Sequence, residues 1–339
     1  MELGILTLGD LQRDPRTGRQ HRAVDRTADA LHYAELADQL GLDVFAVGEH
    51  HSAEYATSSP AVLLAAAAAR TTRIRLTSAV TVLGVHDPVR VYQDFATVDL
   101  VSRGRAEITV GRSAFTEPFA LFGSDLAEYD QLFAEKLDLL LRIRDDQSVT
   151  WAGRYRPALT EATVIPRAVQ DPLPIWVGVG GSPASAERAG RLGLPMTLGY
   201  IGGSLQHLRP LADAYCAAGE RAGHPDKLRL GLSTHLFVGA DPRAARAVYP
   251  YFHEYLRPKT PGGRGFTVSQ AAFEVATSRH GATMVGSAEE LTTKLLDAKH
   301  ALGLDRLYGQ VDWGGLPPGM VEESIARFAN EIAPAVRGA

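Results

Sequence analysis

The sequence predicts an α/β fold, a (β/α)8 TIM barrel with insertions, on three observations. Short apolar runs alternate with helically periodic stretches eight times along 339 residues. No shift in composition is large enough to mark a domain boundary, so residues 1–339 are expected to form one barrel domain, with excursions near 147–172 and 257–285. Polar side chains also cluster just past the ends of several apolar runs, where such barrels carry their chemistry. A doubly wound open sheet would usually place G-x-G-x-x-G after its first strand, and Gly4 and Gly9 do not fit that spacing.

Leu3 to Leu8 reads as the first strand, followed by an amphipathic helix from about Thr27 to Leu40 with Leu31, Ala34, Leu36 and Leu40 near helical spacing. Val44 to Gly48 is the second strand. Ser59-Pro60, a cap residue before proline at the first helical position, opens the helix that runs to Arg70. Ile74 to Leu83, rich in Val, Thr and Ile, is the third strand; Asp87-Pro88 opens a helix ending near Ser102-Arg103-Gly104, and Ala106 to Gly111 is the fourth strand. Tyr129 to Arg144 has helical period, whereas 147–172 holds Trp151, several prolines and no period. Strands five to seven are Ile175 to Val179, Met196 to Gly199 and Leu230 to Val238, with helices at Ser185 to Leu192, Leu205 to Ala222 and Pro242 to Leu256. Arg257 to Phe266, rich in Gly, Pro and Lys, reads as a mobile loop of the kind that serves as an active-site lid. Leu291 to Leu302 is helical, Arg306 to Val311 is strand eight, and Val321 to Ile332 closes the chain as a helix.

Composition narrows the partners. The chain is 45% hydrophobic and 22% charged with a formal net charge of -4, and its Lys and Arg are scattered, which leaves no basic stripe for nucleic acid and no polybasic face for membranes. Small-molecule partners are expected. The longest apolar run, Ala61 to Ala69, is far too short to span a bilayer. Met1 to Leu8 carries an acid where a signal peptide needs positive charge, so a cytoplasmic location is the default expectation. Cys216 is the only cysteine, which excludes an internal disulfide and a cysteine-based zinc site.

The second strand ends in Glu49, His50 and His51. With a period of 2, Val44, Ala46, Gly48 and His50 share one face and Phe45, Val47, Glu49 and His51 the other; small residues suit the barrel interior, so His50 is assigned to the mouth. Capping of a neighbouring carbonyl is the alternative use of either histidine. Adjacent histidines on opposite faces cannot easily share an ion, and no H-x-H occurs, so no metal is assigned; a site would need distant partners such as His86. Gly178 to Pro183 forms a second candidate: its glycines bare backbone N–H groups, Ser182 can cap, and Pro183 starts a helix whose N-terminus suits a phosphate. Arg112 could add positive charge there or be a surface ion-pair partner; Trp313 reads as a core aromatic, and Asp87 as the N-cap of its helix.

Several blocks taken together carry a family resemblance. They are G-E-H-H at 48–51, S-S-P-A at 58–61, A-A-A-A-R-T-T-R-I-R-L-T-S-A-V-T-V-L at 66–83, H-D-P-V-R at 86–90, F-A-T-V-D-L-V-S-R-G-R at 95–105, P-I-W-V-G-V-G-G-S-P at 174–183 and G-L-P-M at 193–196. In this order and spacing the chain resembles the bacterial luciferase-like flavin-dependent monooxygenases from its first strand to its final helix. The resemblance implies a homodimeric barrel with inserted segments that binds FMN, or the deazaflavin F420, at its mouth. It implies that His50 stands beside the flavin ring; His50 is then the candidate for managing protons, Glu49 and His51 are the adjoining candidate catalytic residues, and His51 reads as the structural support of His50. Ser78, Ala79 and Val80 resemble the segment that runs against the isoalloxazine and often holds a non-prolyl cis peptide, while Arg112, Gly180, Gly181 and Ser182 resemble the phosphate-binding end. Gly111 stands where the luciferases carry a reactive cysteine, which argues against light emission and aldehyde specificity but not against flavin binding.

The function implied is a two-component monooxygenase that uses reduced FMN, supplied by a separate reductase, and O2 to oxygenate a small organic substrate. An F420-dependent hydride-transfer oxidoreductase, a non-catalytic flavin-binding protein and a metal-dependent barrel hydrolase are the alternatives. Substrate contacts are expected from Arg13 to His21, Ala114 to Phe122, Tyr200 to Ser204 and 257–285.

Overall fold

The computed structural model describes residues 1–200, 202–258 and 265–338. Eight parallel strands close into a barrel: β1 (Glu2–Thr7), β2 (Val44–Val47), β3 (Arg75–Ser78), β4 (Ala106–Gly111), β5 (Ile175–Val179), β6 (Met196–Gly199), β7 (Leu230–Gly239) and β8 (Arg306–Gln310). Helices α1 (Ala23–Gln39), α2 (Pro60–Ala68), α3 (Pro88–Ser102), α4 (Tyr129–Asp145), α5 (Pro183–Arg191), α6 (Arg209–Arg221), α7 (Ala288–Leu302) and α8 (Pro318–Arg327) follow the strands in turn. Leu6 of β1 lies level with Ala46 of β2 and Gln310 of β8, which fixes the parity of the neighbouring faces. Leu6, Leu8, Val44, Ala46 and Tyr308 pack inside the barrel, while Phe45 and Val47 face the helix layer with Tyr33, Leu64 and Leu76. Small inward and bulky outward residues on β2 are what a narrow, filled barrel requires.

The two ends of the barrel are built differently. At the N-terminal end the guanidinium of Arg306, fully buried, is paired with Glu107 at 2.5 Å and Glu2 at 2.7 Å and lies 4.2 Å from the Trp176 ring centroid. This charged plug closes one end, leaving the C-terminal end for a site. There Asp312, just past β8, accepts from Thr7 Oγ1 at 2.5 Å and from the backbone N–H groups of Leu8 and Gly9, which locks the last strand to the first.

Several elements depart from the sequence reading for local reasons. The third strand is interrupted: β3 stops at Ser78, the Ala79–Val80 peptide is cis, and Thr81–Val82 pairs with β4 before a 3-10 turn at Leu83–Val85. The expected helix from Pro242 to Leu256 is two helices, Pro242–Arg246 and Tyr249–Leu256, because Pro250 has no N–H to continue the first. Ser59 and Ser182 occupy N-cap positions but make no side-chain cap hydrogen bond, unlike Asp87, which accepts from the Val89 N–H at 2.8 Å. The excursion at 147–172 contains an antiparallel hairpin, Val149–Trp151 with Leu159–Ala162, docked on α4 by the Trp151 indole N–H donating to Asp138. Met284–Ser287 is an added strand on the far half of β7. Its four residues are too few to show a period. Residues 259–264, the middle of the expected lid loop, and Ile201 lie outside the described residues.

Candidate active site

Beyond β2 the chain crosses the barrel rim through Gly48 to His51. A Cβ on Gly48 would fall 2.1 Å from Leu8 Cδ2, so the close packing of β1 and β2 requires glycine there. His50 keeps the inward parity. Its ring stacks on Tyr55 with centroids 4.0 Å apart, and Phe115 meets it edge-on at 4.9 Å. Burial among these rings pushes the His50 imidazole down to about 4, so it is neutral at pH 7. The crevice beside it, lined by Glu49, His51, Ser52, Ser113 and Pro118, has a cavity volume of about 10 Å³, room for about one water molecule. Pockets for drug-sized ligands measure roughly 300–1,000 Å³. Seating a planar ring against His50 therefore requires Tyr55 or Phe115 to swing aside.

Glu49 points the other way and gathers three donors. Its Oε1 is 2.8 Å from His51 Nε2 and 2.7 Å from His86 Nε2, and its Oε2 accepts from the Val82 N–H at 2.9 Å. Burial alone would raise this carboxyl; hydrogen bonding and charge from His86, then the bonds from His51 and Val82, hold it below the usual carboxylate value. The ligand atoms of Glu49, His51 and His86 lie within 4.8 Å of one another, so these three could hold a metal, with His86 the distant partner such a site needs. Their 2.7 and 2.8 Å separations are hydrogen-bond distances. Ligands of a tetrahedral zinc stand about 3.3 Å apart, given metal bonds of roughly 2.0–2.1 Å, so the arrangement is that of a hydrogen-bonded set.

The turn between β3 and β4 fills the barrel axis. Val80 projects into the gap left by two glycines: a Cβ on Gly111 would lie 2.5 Å from Val80 Cγ2, and one on Gly178 would lie 2.6 Å from Val80 Cγ1. A cysteine at 111 has no room beside Val80. Ser78 is occupied by the sheet, donating to the Thr109 carbonyl and accepting from its N–H, while Ala79 packs on the inner cluster. Past β5 and β6 the rim is open: an added Cβ at Gly180, Gly181, Gly199 or Gly202 would meet nothing within 4 Å. Arg112 leaves β4 next to β5, but its Nη1 is ion-paired with Asp130 Oδ1 and its guanidinium lies 4.9 Å from the Tyr129 ring centroid. Exposed glycine backbone and the α5 N-terminus therefore border this open part of the rim.

Sequence reasoning missed the opposite wall. Tyr55 donates to Tyr255 at 3.5 Å, and Tyr255 to Gln310 at 3.2 Å, forming a polar chain across the mouth. Behind it His235 is fully buried with both ring nitrogens lacking a hydrogen-bond partner among the described residues, ringed by Phe252, Tyr255 and Trp313 at 5.0 to 5.9 Å. Burial drives its imidazole down to about 4. Asp10, beneath Tyr55, is raised by burial to about 7, with Asp312 adding to the shift. Inward parity of β7 marks His235 in the sequence, but nothing marks Tyr255 or Asp130.

A family model described as luciferase-like monooxygenase matches residues 1–306. A 4-hydroxyprotoasukamycin monooxygenase of Streptomyces nodosus subsp. asukaensis is 31% identical over 327 residues, covering 91% of this chain and 86% of the relative. An F420-dependent glucose-6-phosphate dehydrogenase of Amycolatopsis mediterranei is 32% identical over 174 residues, 49% of this chain and 51% of that one. Among solved structures, the oxygenating constituent of 3,6-diketocamphane monooxygenase from a plasmid of Pseudomonas putida, in complex with FMN, superposes with a TM-score of 0.79 at 20% identity, covering 98% of both chains. By the extent of the family match, the chain belongs to the luciferase-like monooxygenases.

Proposed function

We propose that this protein is the oxygenating component of a two-component system, using reduced FMN from a separate reductase and O2 to oxygenate a small organic substrate. The observation that carries the reading is the convergence at one barrel mouth of the His50 ring, the Ala79–Val80 turn and the open glycine rim at Gly180 and Gly181. FMN, when bound, supplies the two-electron chemistry that activates oxygen. Arg112, the Gly180 and Gly181 backbone and the α5 N-terminus would hold its phosphate, and Ala79 and Val80 would back its ring. Ser182 would contribute through its backbone and Ser78 through the sheet, since neither side chain points to a separate role in the local hydrogen bonding. His50, neutral at pH 7, would accept and return a proton on the substrate side, while Glu49 keeps His51 and His86 oriented behind it. Tyr55 and Phe115, moved off His50, would exclude water from the reacting face.

Homodimer formation belongs to this proposal through the family. An F420-dependent oxidoreductase on the same scaffold is the second reading, favoured by the partial similarity to the F420-dependent glucose-6-phosphate dehydrogenase. Oxygen uptake separates the two. With FMN and a flavin reductase, the protein should raise substrate-dependent oxygen consumption across a panel of small ketones and aromatics; substrate-dependent bleaching of F420 without oxygen uptake would establish the second reading instead.

A further inference from the structure

The phosphate end of the proposed flavin site contains an acid. Arg112 is ion-paired with Asp130, whose side chain is 61% exposed and stands in the first turn of α4. Arg188 of α5 lies close to both: burial, then the neighbouring charge of Arg112, holds its guanidinium below its usual value, while Asp130 acts in the opposite sense. Arg188 Nη1 is buried with no hydrogen-bond partner among the described residues. Val110 of β4 pairs with Val177 of β5, and continuing that register sets Arg112 level with Val179, the residue before Gly180 on the open rim. An anion entering that opening meets a guanidinium already engaged by a carboxylate.

We propose that Asp130 sets the affinity of this end of the site: it is an internal anion that a phosphate has to displace from Arg112, and it keeps a phosphorylated flavin exchangeable. The inference rests on the flavin reading. A cofactor that arrives reduced from one protein and leaves oxidised must dissociate on every cycle, so the phosphate clamp has to be weak. Asp130 weakens it in two ways, by competing for the Arg112 donors and by repelling the phosphate charge. Little of the fold depends on this contact, because ion pairs with so exposed a partner are screened by solvent and contribute little to stability.

The test compares FMN with riboflavin, which has the same ring and no phosphate, by flavin-fluorescence titration of the full-length protein. Asp130→Asn is expected to tighten FMN about three- to tenfold at low ionic strength and to leave riboflavin within about twofold, the FMN gain shrinking at about 0.5 M salt. Asp130→Glu, which keeps the charge, should behave as wild type, and Arg112→Ala should abolish the preference for FMN over riboflavin. Unchanged or weaker FMN binding in Asp130→Asn, with riboflavin bound as in wild type, overturns the inference and leaves the flavin reading standing. Equal tightening of both flavins overturns it too, because the effect would then not act on the phosphate. If wild type binds neither flavin, the flavin reading fails and this inference with it.

Discussion

His86 Nε2 lies 2.7 Å from Glu49 Oε1, tying the loop after β3 to the end of β2 through a carboxylate that also holds His51 and the Val82 N–H. Replacing Glu49 by Gln keeps the shape but removes the charge and presents an NH2 group to at least one of three donors. Hydrogen bonds to charged groups contribute about 1.5–3 kcal/mol each, so Glu49→Gln should cost about 3 kcal/mol and lower the thermal midpoint. An unchanged midpoint would show that these contacts do not hold the rim together.

Acid should destabilise the protein through its buried imidazoles. His235 titrates at about 4 in the folded state against 6.5 for an ordinary histidine. Its folded value is depressed, so between these pH values the unfolded chain holds a proton that the folded protein lacks. Stability is therefore lost as pH falls through that window, by roughly 3 kcal/mol for this group alone. His235→Leu should narrow the gap between unfolding midpoints at about pH 7 and about pH 5; an unaltered gap would assign the acid sensitivity elsewhere.

Phe115 and Tyr55 are what keep His50 from water. Phe115→Ala should raise the His50 imidazole from about 4 towards 6.5, followed by NMR titration of its ring protons. A value that stays put would mean that Tyr55 alone excludes solvent.

Val80 and Gly111 are matched in volume. Gly111→Ala places a methyl 2.5 Å from Val80 Cγ2 and should cost about 1–3 kcal/mol through overpacking. Adding Val80→Ala should recover most of it, and a double-mutant cycle on thermal midpoints measures the coupling. Additive losses would separate the two positions.

The barrel was legible because β2 obeys its period: Val44 and Ala46 turn inward, Phe45 and Val47 outward, and His50 follows the same face over the rim. Asp87 capping its helix and Trp313 packing in the core were equally readable, since both depend on neighbours in the sequence or on size alone. The interrupted third strand was not, because it depends on Gly111 and Gly178 leaving room for Val80 from two other strands. His86 was visible as a strand-end histidine, but its partner Glu49 lies 37 residues earlier, and only closure of the barrel brings them together. Arg112 shows the same limit. Its charge is evident in the sequence, whereas its pairing with Asp130 is a product of how α4 packs.

Flavin binding is the claim on which the rest depends, and equilibrium titration of the purified protein with FMN, followed by quenching of flavin fluorescence, tests it most directly. Saturable one-to-one binding is expected for wild type and, with similar affinity, for His50→Ala, because the proposed phosphate contacts and the backing of the ring by Ala79 and Val80 do not depend on the imidazole. No saturation by FMN at high micromolar concentration, whether oxidised or reduced under anaerobic conditions, would contradict it.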